Sequence, residues 1–233
     1  MSFKFKKFAI DDSDCAQKVG TDGVMIGAWA DVSGASNVLD IGAGSGLVSL
    51  MVAQRTQGRS VHITAVEIDE KAVLNCRDNF EKSPWANRLK VINSDFQQIP
   101  IFSDLIISNP PFFCGDLAAK GDARMLARQG ITLNYFTLID YASEHLSQKG
   151  ILSFTSDVRL KNEILFRAEL NKLYLKRICY VSGKEGNNPI RILWEFSRES
   201  TLKTIKESLN HRNADGSYHS DYINLTKDFY INL

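Results

Sequence analysis

The stretch Asn37-Val38-Leu39-Asp40-Ile41-Gly42-Ala43-Gly44-Ser45-Gly46 decides the fold. An apolar run ends in a carboxylate, passes through glycines at alternate positions, and gives way at Leu47 to a helix-period pattern reaching about residue 57. A strand, a Gly-rich turn and a helix start bring backbone N–H groups close to whatever lies in the turn. The dinucleotide fingerprint G-x-G-x-x-G would need glycine at 47, where Leu stands; the spacing G-x-G-x-G disfavours NAD and FAD. Asp40, at the end of the strand, is positioned to face a cationic or amino-bearing ligand.

Outward from this turn, short β-branched runs alternate with helical patterns. The runs are 37–42, 62–68, 89–93, 104–109 and 150–156; the helical segments lie near 46–57, 70–81, 134–148 and 158–172. That alternation predicts βαβ units around a parallel sheet, and the nearly continuous apolar character of the runs predicts a sheet covered on both faces. The pattern then changes. Residues 173–181 and 189–197 alternate with period two around Ser182-Gly183-Lys184-Glu185-Gly186-Asn187-Asn188, a hairpin signal. The expected fold is therefore α/β and Rossmann-like, a seven-stranded, mostly parallel sheet with a C-terminal β-hairpin and helices on both faces. Residues 19–30 read as a helix entered through a Gly-Thr-Asp turn, with Thr21 or Asp22 as N-cap. The tail 213–233, aromatic-rich and polar, matches no clear element.

Composition sets outer limits. The chain has 233 residues, 44% hydrophobic and 24% charged, enough to bury a core in one domain (1–233). Within it we distinguish an N-terminal segment 1–33, a core 34–200 and an extension 201–233. Nothing approaches the roughly 18 to 20 apolar residues of a membrane span, and the start lacks the apolar stretch of a secretory leader, so a cytoplasmic protein is expected. Cys15, Cys76, Cys114 and Cys179 form no Cys-x-x-Cys pair and the four histidines are scattered, so no metal site and no disulfide framework are expected. A net charge of +1 provides no global attraction to nucleic acid, which leaves local patches. Two stand out: Lys4, Lys6 and Lys7, interleaved with Phe3, Phe5 and Phe8, and the pair Arg124 and Arg128.

The second run ends at Glu67, 67 − 46 = 21 residues past the last glycine of the turn, a spacing at which an acid accepts hydrogen bonds from ribose hydroxyls. Asp95, after the third run, could take an adenine amino group, with Phe96 or a neighbouring apolar side chain on the ring. These acids follow one another at the carboxyl ends of successive strands, where open α/β sheets bind ligands. After the fourth run comes Asn109-Pro110-Pro111-Phe112. An amino nitrogen conjugated with a ring or carbonyl is a poor nucleophile because its lone pair is delocalised. The Asn109 side-chain carbonyl and the Pro110 backbone carbonyl can each accept one N–H of such an amine, favouring a pyramidal nitrogen. Pro111 holds Pro110 extended, so its carbonyl is presented outward rather than absorbed into a ladder. Phe112 would stack on the ring bearing the amine, a contact worth about 1–3 kcal/mol.

In this order, Asp40 to Gly46, Glu67, Asp95 and Asn109 to Phe112 resemble class I S-adenosylmethionine-dependent methyltransferases, and Asn-Pro-Pro-Phe resembles the group that methylates amino nitrogens. Together with 3–30, 38–55, 67–91 and 104–113, and especially the Lys18-to-Trp29 and Ser83-Pro84-Trp85 blocks, the whole chain is similar to the bacterial tRNA (adenine-N6)-methyltransferase family. The resemblance implies S-adenosylmethionine as cofactor, a tRNA partner, and as substrate adenine 37, just 3′ of the anticodon of a valine tRNA. It also implies that Lys18, Thr21 and Asp22 border the methionine end of the cofactor, where a helix start suits a carboxylate. Lys4, Lys6, Lys7, Arg124 and Arg128 are then RNA-contact candidates, and a monomer is favoured. Two rivals remain: methylation of a different amino acceptor, a guanine N2 in ribosomal RNA or a protein glutamine amide, and a non-catalytic RNA-binding protein with a methylase fold. The intact glycines, acids and Asn-Pro-Pro oppose the latter.

Overall fold

The computed structural model describes residues 2–15, 17–111, 133–200 and 203–232. Its centre is an eight-stranded sheet built from β3 (Asn37–Ile41), β4 (His62–Glu67), β5 (Leu89–Asn93), β6 (Ser103–Ser108), β7 (Leu146–Asp157), β8 (Tyr174–Ser182), β9 (Arg191–Ser197) and β10 (Ile205–Asn210), in the order β10-β8-β9-β7-β6-β3-β4-β5. From β5 to β7 the strands are parallel; β9 runs antiparallel between β7 and β8. All seven expected strands form. The eighth is β10, parallel to β8. Its sequence IKESLN alternates weakly and leaves half of its residues exposed and only Leu209 buried, as an edge strand allows, so periodicity did not reveal it.

Helices α1 (Thr21–Trp29), α2 (Leu47–Arg55) and α3 (Glu70–Glu81) contribute to one apolar cluster with Val38, Ile63, Leu105 and Ile107. Helices α4 (Tyr135–His145) and α5 (Lys161–Leu170) contribute to a second with Leu39, Ile41, Ile106 and Leu152. Successive apolar residues of β3 and β6 thus point into opposite clusters, which is why these central strands carry apolar side chains on both faces. The tail adds a short helix, α6 (Ser220–Thr226), whose Tyr222 joins the first cluster. At the other end, β1 (Ser2–Lys4) and β2 (Ala9–Asp11) form an antiparallel pair, so the alternation of Phe3 and Phe5 with Lys4 and Lys6, read above only as a charged patch, is in part a strand signal. Phe5 bridges to Tyr230, and their rings lie 5.6 Å apart, so the two chain ends share one aromatic cluster.

Strand order reverses direction between β3 and β6, the switch point at which α/β sheets open a crevice at their carboxyl ends. Ile41 is paired with Ser108, and the Ser108 hydroxyl donates to the Ile41 carbonyl at 2.7 Å. The Gly-rich turn and Asn109 therefore leave neighbouring strands side by side.

Candidate active site

The glycine turn is held from three directions. Gly42 and Ala43 donate their N–H groups to the Val66 carbonyl at 2.9 and 3.2 Å, and Gly44 donates to Oε2 of Glu67 at 2.9 Å. Gly42, Gly44 and Gly46 all have positive φ. At Gly46 (φ +83°) a Cβ would sit 2.6 Å from Phe80 and 2.9 Å from the Cys76 sulfur, so both conformation and space demand glycine.

Asp40 differs from expectation. It is 1% exposed and accepts from the Ser49 N–H at 3.0 Å and the Ser49 hydroxyl at 2.7 Å, so it lies behind the turn and does not face a ligand in front of it. The cause is local: α2 starts at Gly46, which has no side chain to cap the helix, and Asp40 supplies the missing acceptor from the strand. Burial pushes its carboxyl up to about 7, against the hydrogen bonds from Ser49.

Glu67 stays at the rim. Its Oε1 accepts from the N–H groups of Ile68 and Asp69 at 2.8 and 2.9 Å, opposite the Gly44 contact on Oε2. Ile68 beside it is 57% exposed, a bare apolar side chain next to the acid that the strand pattern had concealed as a simple continuation of the run. Asp95 accepts from the Gln97 N–H at 3.0 Å and starts a 3₁₀ turn at Phe96–Gln98. Phe96 is not available to a cofactor ring: it is 4% exposed and packs edge-on to Tyr141 in the core, 5.3 Å between centroids.

At the end of β6, Asn109 is half-buried, and its side-chain oxygen is buried without a hydrogen-bond partner among the described residues. Pro110 is buried and Pro111 partly so; Phe112, Arg124, Arg128 and Cys114 lie outside the described residues. Across from Asn109 is Gly23 of α1. A Cβ there would be tight against Leu47 at 3.2 Å and in ordinary contact with the Asn109 amide nitrogen at 3.5 Å, so glycine eases the packing of α1 on α2 beside the acceptor residue. A cleft is lined by Lys18, Gly20, Gly23, Gly42, Gly44, Ser45 and Asn109, which joins the N-terminal segment to the turn.

Within that segment the expected capping fails. Gly20 is the N-cap of α1 and no side chain caps it. Asp22 instead approaches Arg191 at 3.3 Å; burial raises its carboxyl while Arg191 opposes the rise. Thr21 opens the helix and is not among the cleft residues. Lys18 lines the cleft, but its ammonium donates to the carbonyls of Asp12 and Ser13 at 2.6 and 2.8 Å.

The lysine patch lies elsewhere. Lys7 donates to Gln57 Oε1 at 3.1 Å, beyond the far end of α2, and Lys6 to the Lys227 carbonyl at 2.6 Å. Nine residues of helix, about 13 Å at 1.5 Å per residue, separate that end from the glycine turn. Lys4 is exposed. Cys15, Cys76 and Cys179 are free, buried thiols; burial pushes Cys15 up to about 11 and Cys179 to about 12, so neither offers a thiolate. Among the described residues no group of three or more His, Cys, Asp or Glu side chains could hold a metal ion, and no helix is long and apolar enough to cross a membrane.

An open sheet with this strand order, a glycine turn backed by Glu67 and an Asn-Pro-Pro at the switch point define a Rossmann-like methyltransferase. A solved structure described as a predicted O-methyltransferase from Agrobacterium tumefaciens shares the fold, with a TM-score of 0.68 at 18% identity over 89% of this chain and 96% of that one. Residues 30–177 match the family described as Methyltransferase small domain. Over the full length, the chain is 42% identical to a tRNA1(Val) (adenine(37)-N6)-methyltransferase of Shewanella sp. (strain MR-4), covering all of both chains. It is 39% identical to the enzyme of the same name from Klebsiella pneumoniae subsp. pneumoniae, covering 98% of this chain and 94% of that one. The chain belongs to the methyltransferase small domain family and, within it, to the tRNA1(Val) (adenine(37)-N6)-methyltransferases.

Proposed function

We propose that this protein transfers a methyl group from S-adenosylmethionine to the exocyclic N6 of adenine 37 in tRNA1(Val), as a cytoplasmic enzyme. The observation that carries the reading is the buried, unpartnered Asn109 oxygen beside the glycine turn. A buried acceptor left unpaired costs about 1–3 kcal/mol, and an amine N–H would recover that cost only while substrate is bound. The donor set also fits the cofactor: rim acid Glu67 for ribose hydroxyls, exposed Ile68 for an adenine face, Asp95 for its amino group, and the cleft between Lys18–Gly23 and Gly42–Ser45 for the amino-acid end.

When bound, the cofactor supplies a sulfonium-activated methyl group, already a strong electrophile. The chain's own residues prepare the nucleophile. Asn109 Oδ1 accepts one N–H of the target amine and the Pro110 carbonyl the other, which directs the nitrogen lone pair away from the ring. The glycines let α1 and the turn approach closely, so positioning supplies most of the acceleration. As the nitrogen–methyl bond forms, the bond from that methyl to sulfur would break and leave a neutral thioether, and the cationic nitrogen then releases one proton to water. Phe112, Arg124 and Arg128 belong to the same reading as base-stacking and RNA-contact residues, and Lys4, Lys6 and Lys7 as a more distant phosphate contact.

Incubating the protein with methyl-labelled S-adenosylmethionine and separate tRNA, ribosomal RNA and protein fractions tests the reading. Label confined to tRNA and recovered as N6-methyladenosine is expected; label in N2-methylguanosine or in protein would replace it.

A further inference from the structure

We infer that Asn79, on α3, is a positioning residue that sets the width of the cofactor cleft by tying its two walls to one side chain. The inference rests on the proposed cofactor site. Asn79 is 3% exposed. Its Oδ1 accepts from the Asp11 N–H at 2.9 Å, one Nδ2 hydrogen goes to the Asp11 carbonyl at 2.8 Å, and the other to the Ser45 carbonyl at 2.9 Å. The primary amide thus pairs with Asp11 as a neighbouring strand would, and its remaining hydrogen holds the glycine turn at its midpoint.

Each contact leads into a wall of the cleft. From Asp11 the chain turns at Asp12, whose carboxylate accepts from the Val19 N–H at 2.8 Å, while Lys18 donates to the Asp12 and Ser13 carbonyls. Residues 17–20, which line one side, are therefore folded onto the backbone that Asn79 grips. Ser45 belongs to the opposite side. Directly below, Cys76 and Phe80 of α3 fill the space a Cβ at Gly46 would need, so α3 supports the turn from beneath while Asn79 fixes it laterally. Three hydrogen bonds from one rigid amide define a spacing that two separate loops would not keep by themselves. Asn79 is not among the residues that line the cleft, so its effect passes through the walls.

The expected signature separates positioning from bulk stability. In Asn79→Ala the dissociation constant for S-adenosylhomocysteine, read by titration calorimetry well below the melting temperature, rises about tenfold. The kcat at saturating cofactor and KM for tRNA stay within about twofold. Amide hydrogen exchange in the cofactor-free protein speeds up in both 17–20 and 42–46. Thr56→Val, which removes a buried hydroxyl that donates to the Val52 carbonyl and accepts from Arg88, is the control: it lowers the melting temperature and leaves the cofactor constant unchanged. Should Asn79→Ala not fold, Asn79→Asp keeps the shape and the acceptor for Asp11 while losing both donors, and is expected to change the same readouts in the same direction. Unchanged exchange in either wall, or an equal cofactor loss in Thr56→Val, would overturn the assignment. Exchange that responds as expected in a wild-type protein that binds neither S-adenosylmethionine nor its product would instead overturn the cofactor reading alone.

Discussion

The Gly44 N–H points at Oε2 of Glu67 at 2.9 Å, so the acid assigned to the ribose also fastens the turn that would lie under the methionine end. With Oε1 held by the N–H groups of Ile68 and Asp69, the carboxylate is fixed in one orientation, and Oε2, which accepts from Gly44 alone among the described residues, keeps lone-pair capacity for a hydroxyl. Glu67→Gln retains one acceptor oxygen and aims an NH2 group at one set of backbone donors. Charge-assisted bonds of this kind contribute about 1.5–3 kcal/mol, so cofactor affinity is expected to fall at least about tenfold in titration calorimetry. An affinity within twofold of wild type would remove Glu67 from the site.

Asp40 makes a pH prediction. Its carboxyl is pushed from the ordinary 3.8 up to about 7 by burial, so the folded protein keeps a proton that the unfolded chain releases near pH 4. Through the window from about 4 to about 7 the native state binds more protons, and this group's contribution makes stability fall as pH rises, levelling off above about 7. Asp40→Asn cannot ionise and lacks that slope. The melting temperature of wild type minus that of Asp40→Asn is expected to decrease from pH 5 to about pH 7 and to flatten above it; an increase between pH 5 and pH 7 would contradict the assignment.

The glycines of the turn are predicted to be unequal. Gly46→Ala combines a left-handed backbone at φ +83° with overlap on Phe80 and Cys76, while at Gly44 (φ +53°) a Cβ meets nothing within 4 Å. Adding about 1–2 kcal/mol for the backbone and about 1–3 for overpacking, Gly46→Ala should lose about 2–5 kcal/mol in urea unfolding, and Gly44→Ala no more than about 2. Equal losses would mean that the packing under Gly46 yields easily.

How much of this was legible beforehand follows from the kind of signal each residue gives. Five strands could be read because burial on both faces of a sheet leaves apolar runs, and the hairpin pair because it alternates with period two; Glu67, Asp95 and Asn109 were placed at or just past strand ends, where they stand in the structure. Asp40 was correctly singled out but given the wrong direction: sequence shows a carboxylate two residues before a glycine, not that the helix beyond lacks its own cap. Phe96 failed similarly, since an aromatic after a strand can face core or cleft. Asn79 did leave a trace, as a polar residue on the stripe Ala72, Cys76, Phe80 that α3 buries. Strand β10 left little, because an edge strand needs no apolar alternation.

For the lysines, the intramolecular hydrogen bonds of Lys6 and Lys7 compete with any role on RNA. If the patch nonetheless meets phosphate, replacing Lys4, Lys6 and Lys7 with Ala weakens tRNA binding and lowers the slope of log affinity against log salt by about 1 for each phosphate no longer neutralised. An unchanged slope, with a lower melting temperature once the hydrogen bonds to Gln57 and Lys227 are removed, would make the patch a fastening of the N-terminal strands only.

The most direct test of the acceptor geometry is methylation of unmodified tRNA1(Val) at saturating S-adenosylmethionine, comparing wild type with Asn109→Ala and mapping the product nucleoside. Wild type is predicted to form N6-methyladenosine at position 37, while Asn109→Ala loses at least about a hundredfold in rate, the scale of removing one group that stabilises developing charge, with cofactor affinity within a few-fold. Wild-type label at any other nucleoside, or an Asn109→Ala variant that keeps its rate and loses the cofactor instead, would contradict it.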